Sequence, residues 1–359
     1  MIRWRSGVVR SLGRSWQGAV EVSVQVDGDG VVPALAYDQV VGRPRPGDRV
    51  LLNTTALSMG LGTGGYAMVV AVPDRLPPDP PPGPGHLVKS RYTPLQTMVL
   101  GVDEQDSPAH EVLRDADDLQ GMPVVVADLH SALPAVLAGL RDTAADLHVV
   151  YVMTDGGALP AWYSRTVAGL RDAGWLAGVV TAGQAYGGDA EAVTLHTGLL
   201  AARHVLGADV AVVAQGPGNL GSGTRWGFSG VACGEAVNAT VVLGGRCVAS
   251  LRISGADPRE RHHGISHHSL TAYGRVALAT ADVVVPELHD HLDELIRSQL
   301  DALSRHRIVG VSVDGLMDAL RQVPLALSTM GRGLDDDPAY FLAAAAAGRH
   351  AGTLLRPEG

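Results

Sequence analysis

Along residues 19–27 apolar and polar positions alternate strictly, with Val20, Val22, Val24 and Val26 set against Glu21, Ser23 and Gln25. Period-two alternation marks a strand with one buried face. Asp27-Gly28-Asp29-Gly30 is turn chemistry, so the following apolar run at 31–37 predicts a β-hairpin. Shorter β-like runs lie at 6–12, 49–54 and 66–72, the second preceded by Pro46-Gly47-Asp48. Five short strands joined by tight turns predict a small all-β domain over residues 1–73, a β-barrel or β-sandwich. Seven prolines in the twelve residues 73–84 then forbid a ladder or helix, and 74–88 reads as an interdomain linker.

From Lys89 onward the pattern changes. Near-continuous, mostly Val-rich runs at 123–127, 147–153, 177–181, 209–214, 247–253, 282–285 and 308–313 predict strands buried on both faces. Helical patterns at 133–142, 160–173, 189–206, 229–243, 266–280, 288–304 and 338–348 alternate with them. This grammar over residues 89–359 predicts a three-layer α/β domain with a mostly parallel sheet.

Composition narrows the function classes. A net charge of −9 and 4% aromatic residues leave no basic, ring-bearing stripe for nucleic acid, so no nucleic-acid partner is expected. No apolar run approaches the ~20 residues of a membrane span, and no membrane partner is expected. Arg3, Arg5, Arg10 and Arg14 lack the apolar core of a signal peptide behind them, so the chain is expected to be folded from its start. Cys233 and Cys247 are too few for a disulfide framework and read as core residues of a reduced, cytoplasmic protein. Lys89 is the single lysine, which excludes a Walker A loop and makes it the one Schiff-base candidate.

Ligands of open parallel sheets bind beyond the carboxyl ends of the strands. The segments there are Asp128-Leu129-His130-Ser131, Thr154-Asp155-Gly156-Gly157, residues 182–191 with Asp189, and residues 215–225. All combine small residues with carboxylates, amides, hydroxyls or a histidine. Asp155 and Asp189 read equally as helix caps. Gly216, Gly218 and Gly221 fit G-x-G-x-x-G, and with Asn219, Thr224 and Arg225 the loop suits an anion; a tightly turned connection is the alternative. The Gly60-Leu61-Gly62-Thr63-Gly64-Gly65 cluster reads as a structural bend.

The sharpest feature is residues 257–269, where His262, His263, His267 and His268 fall within seven residues, beside Arg259 and Arg261. Ser266 is a good N-cap, which would place His267 and His268 in a first helical turn whose dipole keeps imidazoles neutral. The arginines would bind a phosphate or carboxylate. The histidines would act as acid, base or metal ligand. A metal site would draw on His263, His267 and His268 with Asp155, or with Asp189 or Asp257, and would suit Zn, Mn or Fe. The three carboxylates Asp335, Asp336 and Asp337 read first as a charged helix start.

At these residues the chain resembles a bacterial family known as domain of unknown function 3866. The resemblance is near full-length. It runs through Asn53-Thr54-Thr55-Ala56, the Gly60 cluster, Lys89-Ser90-Arg91-Tyr92-Thr93-Pro94-Leu95-Gln96 and Tyr151-Val152-Met153-Thr154-Asp155-Gly156-Gly157-Ala158-Leu159-Pro160. It continues through Gly187-Gly188-Asp189-Ala190-Glu191-Ala192, Gly216-Pro217-Gly218 and Arg261-His262-His263-Gly264-Ile265-Ser266-His267-His268-Ser269. It implies one shared design for the polar loops, the histidines, the β domain and the Lys89 segment, and no activity.

The expectation is a cytoplasmic hydrolase or group transferase acting on a small anionic molecule, with phosphorylated compounds among the candidates. Its catalytic candidates are His262, His263, His267, His268 and Asp155. Its ligand-binding candidates are Arg259, Arg261, Gly216, Gly218, Asn219, Thr224, Arg225, His130, Thr154, Asp189 and Lys89. A divalent metal is a candidate cofactor and a homo-oligomer a candidate assembly. The alternative is a non-catalytic metabolite sensor or assembly protein.

Overall fold

A computed structural model describes residues 1–62 and 64–355, so Thr63 of the Gly60 cluster lies outside the described residues. The chain forms two compact units, Met1–Val99 with Trp162–Ala168, and Leu100–Ala161 with Gly169–Gly359.

The first unit is a closed five-stranded barrel, which selects between the two expected all-β forms. Its strands are β1 (Trp4–Trp16), β2 (Ala19–Val26), β3 (Gly30–Ala36), β4 (Arg49–Asn53) and β5 (Ala67–Ala71), in the order β1-β2-β3-β5-β4. The expected hairpin is β2–β3, with Val26 opposite Gly30. Closure comes from β1 on β4 and from a parallel β3–β5 pair, Ala34 opposite Ala67. Val20, Val22, Val24 and Val26 fill the interior with Val9, Val50, Leu52 and Val69, as the alternation requires. One-turn helices α1 (Asp38–Val41) and α2 (Thr55–Ser58) connect the later strands. Neither helix nor strand forms between Val72 and His86. A ribbon of β6 (Leu87–Lys89) and β7 (Thr97–Val99) follows, with Lys89 buried on it. Trp16 Nε1 donates to the Trp162 carbonyl at 2.6 Å, holding that segment within the unit.

The second unit is built on an eight-stranded sheet in which every pairing is parallel. After the short α3 (His110–Leu113), its elements run β8 (Pro123–Val126), α4 (Leu133–Thr143), β9 (Val149–Thr154), α5 (Arg165–Asp172), β10 (Gly178–Ala182), β11 (Ala190–Ala192), α6 (Leu195–His204) and β12 (Val210–Gln215). They continue with α7 (Ala232–Val242), β13 (Arg246–Ser250), the ribbon β14 (Ile253–Ser254) and β15 (Gly264–Ile265), α8 (His267–Thr271), β16 (Asp282–Glu287), α9 (Leu292–Gln299), β17 (Arg307–Ser312) and α10 (Leu316–Arg321). A last ribbon, β18 (Ser328–Thr329) and β19 (Arg332–Gly333), precedes α11 (Pro338–Thr353). The sheet order is β11-β10-β9-β12-β8-β13-β16-β17.

Pleating sorts the valines to two faces. Val124, Val126, Val150, Val152 and Val180 share a core with Leu199 of α6 and Val237 of α7. Val125, Tyr151 and Val212 alternate with these and face the other side, where α4 and α11 pack. Those two helices lie in near backbone contact, because a Cβ on Gly139 would strike the Ala345 carbonyl and one on Gly348 the Val136 carbonyl.

All seven predicted parallel strands form, within a few residues of their expected bounds. The expected helix at 189–206 is corrected: Ala190–Ala192 is an edge strand, and the helix begins at Leu195 behind Thr194, whose hydroxyl accepts from Thr197 N at 3.2 Å. Asp189 is therefore not its cap. The helix expected at 160–173 splits into a 3₁₀ turn at Ala161–Tyr163 and α5. The helix expected at 266–280 runs as α8 into a π turn at Ala272–Val276 and stops there, with Ala277 extended. Among the described residues no helix is long and apolar enough to cross a membrane.

Two predictions follow from this packing. Gly348→Ala forces α11 off α4 and lowers unfolding stability by about 1–3 kcal/mol, measured by urea denaturation. Asp282, at the start of β16, accepts Arg307 Nε at 2.6 Å and pairs with His350 Nε2 at 2.8 Å. Burial pushes its carboxyl up, but the bonds from His350 and Arg307 outweigh that and hold it at about 2, below its ordinary 3.8. The stability it contributes is present above its unfolded value and is lost as pH falls towards the folded one. Denaturation midpoints should drop between about pH 4 and 2, and Asp282→Asn should flatten that limb.

Candidate functional site

The strand order contains one reversal. From β8 the chain moves outward through β9, β10 and β11, returns to β12 beside β8, and then crosses to β13 on the opposite side of β8. Crevices at such reversals, beyond the carboxyl ends, are where ligands bind in open parallel sheets. Three polar side chains mark this one. Gln215 ends β12, Asp128 follows β8 and Arg252 follows β13. Gln215 Nε2 donates to the Asp128 carbonyl at 2.7 Å. Gln215 and Asp128 line a small cavity with Thr154, Ser229 and Cys233. The carboxylate oxygen Asp128 Oδ2 and the amide oxygen Gln215 Oε1 are both buried without a hydrogen-bond partner.

Beyond β13 the chain is held by a buried ion network. The side chain of Asp257 is fully buried and is gripped by Arg259 through two bonds, Nε to Oδ1 at 2.8 Å and NH2 to Oδ2 at 2.7 Å. Arg332 NH2 reaches the same carboxylate at 3.3 Å and Arg252 NH2 stands at 3.7 Å. The Arg259 bonds, opposing the cost of burial, hold the Asp257 carboxyl well below its ordinary value. Arg332 Nε also donates to Asp337 at 3.1 Å, and Asp337 accepts Ser254 Oγ at 2.6 Å. Asp337 is thus a buried anchor for the β13 exit, beyond the charged helix start its sequence suggests. The β14–β15 ribbon closes the loop, with Ile253 opposite Ile265.

The histidines stand on this clamp. Ser266 caps α8 as expected, its Oγ accepting from His268 N at 3.2 Å, and the same oxygen lies 2.7 Å from His262 Nδ1. One serine thereby positions two histidines. His262, His267 and His268 each offer a ring nitrogen, all within 4.8 Å of one another. His267 Nε2 is buried with no hydrogen-bond partner. His268 Nδ1 lies 3.3 Å from Arg252 NH1 and 3.6 Å from Asp128 Oδ2. Phe228 stacks on His268, centroids 3.8 Å apart and planes 1° from parallel, and meets His267 edge-on at 6.0 Å. Burial, with the Arg252 charge behind it, lowers His262 to about 3; burial and the neighbouring His268 lower His267 to about 4. Both rings are therefore neutral at physiological pH. They are poor proton carriers there and good lone-pair donors to a Lewis acid.

The other sequence candidates fall as follows. His263 stands outside the three-nitrogen group, as does Asp155. The Asp155 carboxylate accepts Gly157 N, Ala158 N and Gln184 N at 3.2, 2.8 and 3.0 Å, which organises two loops rather than capping a helix. Asp189 accepts Val179 N at 2.9 Å and Arg171 NH1 at 2.5 Å, near the start of β10 instead of its carboxyl end. His130 is buried, which lowers it to about 4, and its Nδ1 lies 3.1 Å from Tyr151 Oη. That hydroxyl donates to the Ala214 and Gln215 carbonyls, so His130 carries the proton and ties β8 to its neighbours.

Thr154, at the end of β9, pairs with Gln215 at the cavity. Gly216 is buried, whereas Gly218, Thr224 and Arg225 are exposed and Asn219 half-buried. The loop closes on itself: Leu220 N donates to Ser229 Oγ, Ser222 N to the Gly227 carbonyl, and Gly227 N to Thr224 Oγ1. Arg259 is committed to Asp257. Arg261 is exposed, and its charge reaches His267. Sequence reasoning missed Asp128, Arg252 and Phe228 as site residues. Phe228, one of two phenylalanines, was the one compositional signal among them.

A family model for a protein of unknown function (DUF3866) matches residues 33–348. No curated protein and no solved structure matches the chain.

The ion network generates its own prediction. Asp257→Asn leaves Arg252, Arg259 and Arg332 without their shared carboxylate, and loss of one partner from a buried pair costs about 3–5 kcal/mol. Guanidinium denaturation should register that loss, with hydrogen exchange rising first in residues 252–266.

Proposed function

This chain belongs to the DUF3866 family, and on the strength of its own residues we propose that it is a cytoplasmic hydrolase or group transferase acting on a small anionic molecule. The observation that carries the reading is the convergence of His262, His267 and His268, within 4.8 Å, beside the strand reversal of a parallel sheet. Three desolvated imidazoles in one place cost stability that a purely structural loop has no reason to bear. The ring nitrogens, neutral at His262 and His267, act on the reacting group, while the exposed Arg261 recognises substrate charge. The Asp128 and Gln215 oxygens, buried without a hydrogen bond, supply acceptors for an attacking water or hydroxyl.

The test is a turnover screen of the full chain, with Zn²⁺, Mn²⁺ or Fe²⁺ supplied, against phosphate mono- and diesters, nucleotides, sugar phosphates and carboxylate esters. One class should be turned over. His267→Ala should lower kcat by about 10²-fold or more, and Arg261→Ala should chiefly raise KM. A ligand that raises the melting temperature but is never converted, with the histidine variants altering affinity alone, overturns the enzyme reading in favour of a metabolite sensor.

A further inference from the structure

We propose that His262, His267 and His268 bind one divalent first-row transition metal through their Nε2 atoms, with Asp128 as the carboxylate that orients His268. This deepens the reading of the cluster as a reaction centre and rests on it for the metal's catalytic use, though not for its binding.

Two of the rings have one nitrogen already accounted for, and the third has a buried nitrogen with no hydrogen bond. His262 Nδ1 is engaged by Ser266 Oγ, so Nε2 is the nitrogen left to point elsewhere. His267 Nε2 is buried and unpartnered, a position that a ring nitrogen leaves unfilled only at a cost. His268 Nδ1 faces Arg252 and Asp128, again leaving Nε2. A tetrahedral ion with metal–nitrogen bonds of about 2.0–2.1 Å needs its nitrogens roughly 3.3 Å apart. One nitrogen from each ring already lies within 4.8 Å of the other two, so reaching that spacing is a matter of side-chain rotation.

The surroundings supply the partners that metal-bound imidazoles need. A ligating histidine donates its other N–H to a carboxylate, hydroxyl or carbonyl, which fixes ring and tautomer. Ser266 Oγ stands in that position for His262. For His268 the acceptor is Asp128 Oδ2, 3.6 Å from Nδ1 and without a hydrogen bond of its own. Metal binding at Nε2 moves the His268 proton to Nδ1, replaces the contact with Arg252 by one with Asp128, and leaves Arg252 to Asp257. A buried carboxylate oxygen with no hydrogen bond, next to a histidine ring, is thus explained by the loaded site.

The donor set selects the ion. Three imidazoles suit Zn²⁺, Fe²⁺, Ni²⁺ or Cu²⁺, whereas Mg²⁺ and Ca²⁺ require oxygen ligands. Three protein ligands leave a fourth position for water or substrate, the arrangement of catalytic rather than structural zinc. Because all three ligands are neutral, the ion keeps its full positive charge, which favours an anion in that position.

The test uses the full chain, stripped with a chelator, dialysed and titrated with Zn²⁺ and with Co²⁺. Elemental analysis should return about one Zn²⁺ per chain. Co²⁺ should give the intense visible bands of a tetrahedral nitrogen site, and excess Mg²⁺ or Ca²⁺ should not displace it. His262→Ala, His267→Ala and His268→Ala should each weaken binding at least 100-fold, Asp128→Asn about 10–100-fold, and His263→Ala not at all. If a histidine variant fails to fold by circular dichroism, the matching glutamine variant replaces it. Substoichiometric metal, or binding unchanged in His267→Ala, overturns the proposal. Full loading with no turnover on any substrate leaves the metal site standing and removes the enzyme reading. Turnover that survives chelation leaves the enzyme reading standing and removes the metal's catalytic use.

Discussion

The grip of three arginines on Asp257 is the interaction from which the rest of the site follows. A carboxylate with no solvent exposure is tolerated only if its charge is met in place, and Arg252, Arg259 and Arg332 meet it from three separate stretches of chain. Arg252 comes from the end of β13, Arg259 from the loop beyond, and Arg332 from β19 before the last helix. Asp337 extends the network to Ser254. The path from Leu251 to Ser266 is consequently determined by ion pairs and a two-residue ribbon, together with Leu251, Ile253 and Ile265 packed into the main core. What that path delivers is Ser266 in capping position, and through it the orientation of His262 and His268.

The same network sets the local electrostatics. Arg252, Arg259 and Arg332 are balanced by Asp128, Asp257 and Asp337, so the ground beneath the imidazoles has no net charge even though the chain as a whole carries −9. The guanidinium of Arg261 lies outside that balance and acts on His267, which favours an anion above the rings. The overall charge is silent about this pocket.

How much of this was legible in the sequence depended on whether the signal was periodic or conformational. The barrel strands and the seven predicted parallel strands announce themselves through alternation and through valine runs, because burial on one face or two leaves different patterns. The edge strand Ala190–Ala192 did not, since Ala190-Glu191-Ala192 fits a helix equally well and only pairing with β10 decides. Four histidines in seven residues flagged the site, yet spacing could not say which rings converge. The 3₁₀ turn at Glu260–His262 turns His262 inward to Ser266, and His263 is left out. Asp128 stood in one of the polar loops beyond the strands but was not singled out, because it is one carboxylate among many until the strand order sets β8 beside β13.

The glycine-rich loop illustrates how a motif can be real and its first interpretation incomplete. Gly216 is glycine because Leu159 Cδ2 and Met153 Sδ would stand 2.9 and 3.1 Å from a Cβ. Gly227 is glycine because the hydroxyls of Ser222 and Thr224 fold over it. Three of the loop's amides, at Leu220, Ser222 and Gly227, then bond within the loop and its Ser229 exit, so its compactness is its own. The product of that compactness is the placement of Phe228 flat against His268. Stacking confines the His268 ring to one plane, and the two groups at its Nδ1, a guanidinium and a carboxylate, then differ only in which proton position they favour. A ring fixed in plane but balanced between two tautomers responds to whatever occupies its far nitrogen. That balance lets a rigid scaffold accept an ion without moving its backbone.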